Sequence, residues 1–171
     1  MNLREEILRE HSKRQTVRLA KWVGENKKRF DLLMKLFFHD EYRVVQRSAW
    51  IVKYVADDHP EWIKLYLKQM LEYCKQPVHD AVKRNVIRVL TEIEIPKKLQ
   101  GLAATICFDF LSSQQEPLAV KVFSMTVLAN LAEREPDLKH ELVTLIEEQM
   151  DWEKPGFRAR GKKILAKLQR L

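Results

Sequence analysis

The stretch HDAVKRNVIRVLTEI, residues 79–93, sets the pattern for the whole chain. Its apolar residues fall on one face of an α-helix: Val82, Val86, Val89, Leu90 and Ile93. The same face recurs 38 residues later, from Val120 to Leu131, and 38 residues earlier, from Val44 to Val55. A fixed period of this size predicts stacked copies of one supersecondary unit.

Six prolines divide the chain in agreement with this period, because proline fits the first turn of a helix and breaks its interior. The predicted helix pairs are 42–56 with 61–74, 80–93 with 98–111, and 118–134 with 137–150, followed by a half-repeat at 157–168. The first repeat matches the second at a spacing of 32 and is therefore shorter. Ser12 and Gln15 are spaced like a capping box, so residues 2–25 form either two helices or one.

The pattern Val82-Lys83-Arg84 with its following apolar residues, repeated from Val120-Lys121, resembles a HEAT repeat over residues 12–168. This resemblance implies an all-α fold, a right-handed α-α superhelix of about four helical hairpins plus a C-terminal half-repeat. It also implies that the leading helix of each pair lines a concave face. Because no linker or low-complexity tract interrupts the pattern, we expect one domain over residues 1–171.

Three stretches are also similar to a family of small helical-repeat proteins, some of which carry the name adenylosuccinate lyase. The stretches are EYRVVQR (41–47), PVHDAVKRN (77–85) and VKVFSMTVLANL (120–131). No stretch of this chain matches the mobile serine-containing loop of adenylosuccinate lyases, so the resemblance does not imply lyase activity.

The composition of the chain indicates its cellular location and the class of partner to expect. The net charge is +7 and the pI about 9.4, a balance that attracts phosphates or acidic partners. Cys74 and Cys107 lie inside apolar helical patterns without metal or redox spacing, so we expect buried, reduced thiols. The charged N-terminus lacks the apolar core of a signal peptide, and the uncharged run from Leu99 to Phe108 is too short for a membrane span. We therefore expect a cytoplasmic protein without cofactors.

The leading helices present basic side chains interleaved with aromatic ones at positions that the apolar stripe leaves exposed. The residues predicted to bind a partner are Arg18, Trp22, Trp50, Lys53, Tyr54, Arg84 and Arg88. Cations on phosphates and flat rings against bases suit a nucleic-acid surface. The alternative is a solvated basic face whose tryptophans are half-buried packing residues. The fourth repeat favours that alternative, because Val122 and Thr126 occupy its matching positions.

A second basic cluster, Arg158, Arg160 and Lys163, lies in the first turns of the last predicted helix. A helix N-terminus with added Arg and Lys can hold a phosphate or sulfate. The alternative is a capping half-repeat, whose outer face must be polar to end the stack.

No catalytic motif emerges from the sequence. The five histidines have no metal-ligand spacing, and the chain has neither a phosphate-cradling Gly-rich loop nor a Gly-x-Ser-x-Gly elbow. We therefore predict a non-catalytic binding or scaffold module that holds a protein partner on its concave face. The sequence leaves the oligomeric state open and favours a monomer. Binding of a nucleic-acid backbone, as in DNA-repair HEAT proteins, is the alternative, and an enzyme of unknown type is third. A continuous positive stripe would favour nucleic acid, and a broken stripe with apolar or aromatic pockets would favour a protein.

Overall fold

The computed structural model describes residues 1–171 and contains eleven α-helices and no β-strand, which confirms the predicted all-α class. The helices are α1 (Leu3–Arg9), α2 (Lys13–Gly24), α3 (Lys27–His39), α4 (Tyr42–Asp58), α5 (Pro60–Ile63), α6 (Leu67–Cys74), α7 (Asp80–Glu92), α8 (Lys97–Ser112), α9 (Leu118–Ala132), α10 (Leu138–Gln149) and α11 (Pro155–Leu168).

Capping decides the question of one or two helices before residue 25. The Ser12 hydroxyl accepts a hydrogen bond from the Gln15 backbone N–H at 3.1 Å, so α2 begins as a separate helix. The second bond of a capping box, from the Ser12 N–H to the Gln15 side-chain oxygen, does not form, because Gln15 Oε1 accepts from Arg18 Nε at 3.0 Å instead. Gln15 Nε2 donates to the Glu6 carbonyl oxygen at 2.8 Å. The Gln15 side chain therefore ties α2 to α1.

The six prolines lie at helix starts or in the turns before them, as the sequence predicts. Pro60 and Pro155 are the first residues of α5 and α11, and Pro96 and Pro117 are the N-caps of α8 and α9. Pro77 and Pro136 stand in the turns before α7 and α10.

One predicted helix, residues 61–74, is divided into α5 and α6. The Tyr66 N–H donates to the Ile63 carbonyl at 2.9 Å, which tightens the chain between the two helices. Tyr66 also contacts residues distant in sequence: its hydroxyl donates to Asp31 Oδ1 at 2.7 Å and its ring packs edge-on against Phe30. These contacts with α3 accompany a break that the local sequence pattern does not show.

The chain divides into two compact units, residues 1–93 and 94–171, whereas the single domain expected over 1–171 stays a prediction. In the first unit, α4 lies between α2 and α7 and packs on α3. Phe30 and Phe37 of α3 are completely buried, and their rings contact Trp62 at 5.7 Å and Tyr73 at 5.6 Å between centroids. Burial of each phenylalanine stabilises the fold by roughly 1.5–3 kcal/mol.

In the second unit, α9 lies between α8 and α11, and α10 packs on α9 and α11. Lys121 of α9 is only 2% exposed. Its ammonium donates to Gln149 and Glu153 and lies 5.3 Å and 5.4 Å from the ring centroids of Trp152 and Phe157. A buried cation thus joins α9 to the connection between α10 and α11.

Gly161 allows α11 to approach the end of α10 closely. A Cβ atom at Gly161 would lie 3.0 Å from both Ile146 Cγ2 and Met150 Sδ. The matching position in the third repeat, 75 residues earlier, is Val86, so the last half-repeat differs from the third repeat at this contact.

Both cysteines are buried and free, as predicted. Burial raises the pKa of the Cys107 thiol to about 12, so this thiol stays protonated in the folded protein. No helix combines the length and the apolar character that crossing a membrane would require.

Candidate binding face

The predicted binding residues lie on three neighbouring helices of the first unit, α2, α4 and α7, which we call the α2–α4–α7 face. The helices run in the same direction. Tyr42 and His79, at the starts of α4 and α7, have ring centroids 4.8 Å apart, and Asp57 and Glu92, at the ends of the same helices, line one pocket. Corresponding residues of successive repeats therefore lie side by side.

On α2, neither predicted residue is simply solvated. The exposed guanidinium of Arg18 forms an ion pair with Glu6 and donates to Gln15 Oε1 at 3.0 Å. Trp22 is half-buried, and the Arg29 guanidinium of α3 lies 4.1 Å from its ring centroid. Arg18 and Trp22 thus have intramolecular partners that a ligand would have to share or replace.

On α4, two half-buried aromatic rings form the centre of the face. Trp50 and Tyr54 have centroids 6.4 Å apart, and His11 contacts Trp50 edge-on at 6.0 Å. Lys53, predicted as an exposed cation, is only 8% exposed. Its ammonium pairs with Asp57 and lies 5.5 Å from the Tyr54 ring, so its charge is largely compensated within α4.

On α7, Arg84 is exposed and forms no ion pair, whereas Arg88 is half-buried and takes part in interactions within the protein. Of the predicted basic residues, Arg84 is therefore the one whose charge is most available to a partner. Its guanidinium lies close enough to His11 to act on the charge of that imidazole.

Two pockets open between the helices near their C-terminal ends. The pocket between α2 and α4 has an apolar part of its lining that includes Val17, Ala20 and Gly24, and the Tyr54 ring also lines it. Its remaining lining residues are Lys21, Glu25, Asp58 and His59. The pocket between α4 and α7 is lined by Lys53, Ala56, Asp57, Pro60, Glu92 and Ile93. The sequence analysis missed this apolar lining, although Val17, Ala20 and Gly24 are spaced along one side of α2.

The sign of the charge reverses along α4, the central helix of this face. Arg43 stands in the first turn of α4, and Asp57 and Asp58 stand in its last turn. Both arrangements oppose the helix dipole, which favours acids at the start of a helix and bases at its end. Each such charge costs the fold a few tenths of a kcal/mol when it is exposed. The basic stripe expected from the sequence therefore gives way to carboxylates at the end of α4 and, with Glu92, at the end of α7.

Four basic residues stand just before or in the first turns of α2, α4 and α7: His11, Arg47, His79 and Arg84. Arg47 Nη1 donates to the carbonyl oxygens of Ile7 and Leu8 at 3.0 Å and 2.9 Å. The pKa of His11 is lowered, first by burial and then by repulsion from the charges of Arg47, Arg84 and His79. Of these four residues, the sequence analysis identified only Arg84 as a binding residue.

In the second unit, the three residues predicted to bind an anion take different roles. Arg160 is half-buried and donates to Thr126 Oγ1 of α9 at 2.8 Å, whereas Arg158 and Lys163 are exposed. Lys154, the N-cap of α11, makes no side-chain capping bond. Anion binding by these residues stays a prediction.

Neither unit contains a group of three or more histidine, cysteine, aspartate or glutamate side chains placed to hold a metal ion. The perturbed pKa values in the first unit have structural causes. The Arg18 guanidinium lowers the pKa of Glu6, and burial together with Asp31 raises the pKa of Tyr66 to about 12. These groups stabilise contacts between helices.

Comparison with known families agrees with this architecture. The HEAT repeat domain family matches residues 3–168, which is nearly the whole chain. No curated protein matches the sequence. The repeated helix pairs, the prolines at their boundaries and this match show that the chain belongs to the HEAT repeat family.

Proposed function

We propose that this chain is a non-catalytic binding module that holds a protein partner on the α2–α4–α7 face. HEAT repeats commonly mediate protein interactions. The observation that carries the proposal is the combination, on one face, of an apolar pocket, two half-buried aromatic rings and charges of both signs. The residues proposed to contact the partner are those predicted from the sequence: Arg18, Trp22, Trp50, Lys53, Tyr54, Arg84 and Arg88.

The charge reversal favours a protein over a nucleic acid. A nucleic-acid backbone carries regularly spaced negative charges, and it would meet Asp57, Asp58 and Glu92 near the ends of the helices. A protein surface can place acidic groups against the basic end of the face and basic groups against the acidic end. Apolar side chains of the partner would fill the pocket beside Val17 and Tyr54.

Backbone binding to nucleic acid is the second candidate, and one observation favours it. The starts of α2, α4 and α7 gather Arg47, Arg84 and two histidines, and the charges acting on His11 there are all positive. A short single strand could lie along this end without reaching the carboxylates. Enzymatic activity ranks third, because no arrangement of nucleophile, base and oxyanion donors supports a reaction class. A cytoplasmic location and a monomeric state remain predictions.

The test blocks the pocket without disturbing the core. Val17 is 43% exposed and lines the pocket, so Val17→Glu places a charge in the pocket while keeping a good helix former in α2. Leu65→Glu is the matched control, because Leu65 is 74% exposed and lies between α5 and α6. The wild type and both variants are used to capture partners from native lysate, with and without nuclease.

We expect the wild type and Leu65→Glu to capture a protein that nuclease does not release. Val17→Glu should bind this protein roughly thirtyfold more weakly, the effect of about 2 kcal/mol at a hot spot. Loss of the captured protein after nuclease treatment would support the nucleic-acid alternative. Equal capture of a nuclease-resistant protein by all three proteins would contradict the use of this pocket.

A further inference from the structure

We propose that one copy of this chain binds a second copy head-to-tail, with Leu65 of the first unit entering an apolar pocket on the second unit of its neighbour. Both surfaces lie outside the α2–α4–α7 face, so this inference goes beyond the proposed function. The monomer predicted from the sequence is then the state of the chain in dilute solution.

The first argument is an exposed apolar surface with basic flanks, which we call the leucine patch. Leu65, between α5 and α6, is the most exposed large apolar side chain at 74%, and Leu32 of α3 is 44% exposed. The two leucines are next in sequence to Tyr66 and Asp31, whose side chains are hydrogen-bonded at 2.7 Å, so both lie near this contact. Exposed apolar side chains grouped in this way are typical of an interaction surface. The lysines that flank them are exposed and form no ion pair: Lys28, Lys35, Lys64 and Lys68.

The carboxylates beside the leucine patch already have basic partners. Asp31 pairs with Lys27, and Glu72 pairs with Lys75 at 3.1 Å. The Glu61 carboxylate lies 3.3 Å from an imidazole nitrogen. The four flanking lysines therefore give the patch a positive charge that the first unit does not compensate.

The second argument is an apolar pocket in the second unit. It has a volume of about 370 Å³, and its apolar lining comes from α8, the end of α9 and the start of α10: Gly101, Ala104, Leu131 and Leu138. Gly101 stands inside α8, where glycine lowers helix stability relative to alanine. No contact in the fold requires this glycine, because a Cβ atom there would meet nothing within 4 Å. The missing side chain leaves room for an aliphatic side chain from outside.

The third argument is the charge around this pocket. Glu135 and Asp137 line it and form no ion pair, and Asp137 makes no side-chain capping bond although it is the N-cap of α10. The other two charged residues of this turn, Glu133 and Arg134, are already in ion pairs. Lys97 is the one cation among the lining residues, which leaves the lining with a net charge of −1. The carboxylates of the turn can therefore receive the lysines beside Leu65.

The charges of the chain as a whole favour the same contact. Residues 1–93 carry 19 Lys and Arg against 13 Asp and Glu, a net charge of +6. Residues 101–154, which include α9 and α10, carry 4 Lys and Arg against 10 Asp and Glu, a net charge of −6. Opposite signs steer two copies toward a head-to-tail encounter. Lys97, Lys98 and Lys139 weaken this attraction near the pocket, so burial of the leucine has to supply much of the affinity.

The experiment measures the mass of the full chain by sedimentation equilibrium at chain concentrations from about 10 μM to about 1 mM. We expect the mass to rise with concentration, and to rise less at high salt. Leu65→Glu places a charge on the patch, and Gly101→Lys fills the pocket with a good helix former. Each should weaken self-association at least about tenfold, the effect of about 1.4 kcal/mol. A mixture of the two variants should form a dimer and nothing larger, because one copy keeps its pocket and the other keeps its patch.

Two variants are matched controls, and circular dichroism checks that every variant is folded. Val17→Glu adds the same charge as Leu65→Glu at another exposed apolar residue, and Ser112→Lys adds the same charge as Gly101→Lys at the exposed end of α8. Both should associate within about twofold of the wild type, because screening limits the effect of distant surface charges.

A monomer mass at all concentrations up to about 1 mM would overturn the proposal, as would an equal loss in a variant and its control. Self-association that only one of Leu65→Glu and Gly101→Lys weakens would also overturn it, because the patch and the pocket would then not be partners. The proposed function fails separately, since partner capture should be lost in Val17→Glu and kept in Leu65→Glu.

Discussion

Replacement of Glu153 by Gln should destabilise the second unit far more than the loss of a surface ion pair. Lys121 and Glu153 are only 2% and 12% exposed at their side chains, so the substitution leaves a buried ammonium without its carboxylate. Breaking a buried ion pair from one side costs about 3–5 kcal/mol. Gln149 and the rings of Trp152 and Phe157 still contact the cation, which reduces the expected loss to about 2–4 kcal/mol.

The assay is urea unfolding followed by circular dichroism, together with hydrogen exchange resolved by peptide. A loss of this size corresponds to a drop in Tm of roughly 4–16 °C for a chain of this length. Faster exchange should appear in α9 and α11 and not in α4. The double variant Lys121→Met with Glu153→Gln should recover much of the loss, because the buried charge is then gone. A loss below about 1 kcal/mol for Glu153→Gln, as for exposed pairs, would refute the reasoning.

Three further predictions follow from the packing and the pKa shifts. Gly161→Ala should destabilise the second unit by about 1–3 kcal/mol through overpacking against α10. Gly101→Ala should stabilise α8 by up to about 1 kcal/mol, because its Cβ meets no atom within 4 Å. Thermal melts of the two variants compare these effects. The pKa values of Glu6 and Asp40 are lowered, chiefly by hydrogen bonds from Arg18 and Arg4. These carboxylates therefore add stability that is present above their unfolded-state pKa values of about 4 and is lost as the pH falls through the lower folded values. The urea midpoint of unfolding should decrease as the pH is lowered across this acidic range, and it should decrease less steeply in Arg18→Gln. The Cys107 thiol, with its pKa near 12, should react with iodoacetamide only after unfolding, which mass spectrometry can follow; modification of this cysteine in the folded protein would contradict its burial.

The helix boundaries could be predicted because their causes are local. Proline geometry and the apolar period need no information about neighbouring helices, and Ser12 caps α2 through a residue three positions away. The break between α5 and α6 could not be predicted in this way. It involves contacts between Tyr66 and residues of α3 that lie 35 or more positions earlier in the chain.

The candidate face could be predicted in outline, and its electrostatics could not. Helical spacing identifies Trp50, Tyr54 and Arg84 as neighbours across repeats, and the structure places them on adjacent helices. Spacing does not show that Lys53 is buried beside Asp57, since Lys53 is a cation at a position that looks exposed on a helical wheel. It also does not bring His11 and Arg47 together, because Arg47 reaches back to carbonyls about 40 positions earlier.

The buried Lys121 also affects which repeats pair with one another during folding. Repeats with nearly the same apolar stripe can pair with the wrong neighbour, since apolar contacts alone do not distinguish one repeat from the next. The end of α10 and the turn that follows it supply the amide of Gln149 and the carboxylate of Glu153 to this ammonium. If α9 packed against a different repeat, the Lys121 ammonium would be buried without these partners. The lysine therefore favours the correct pairing of α9 with the last hairpin.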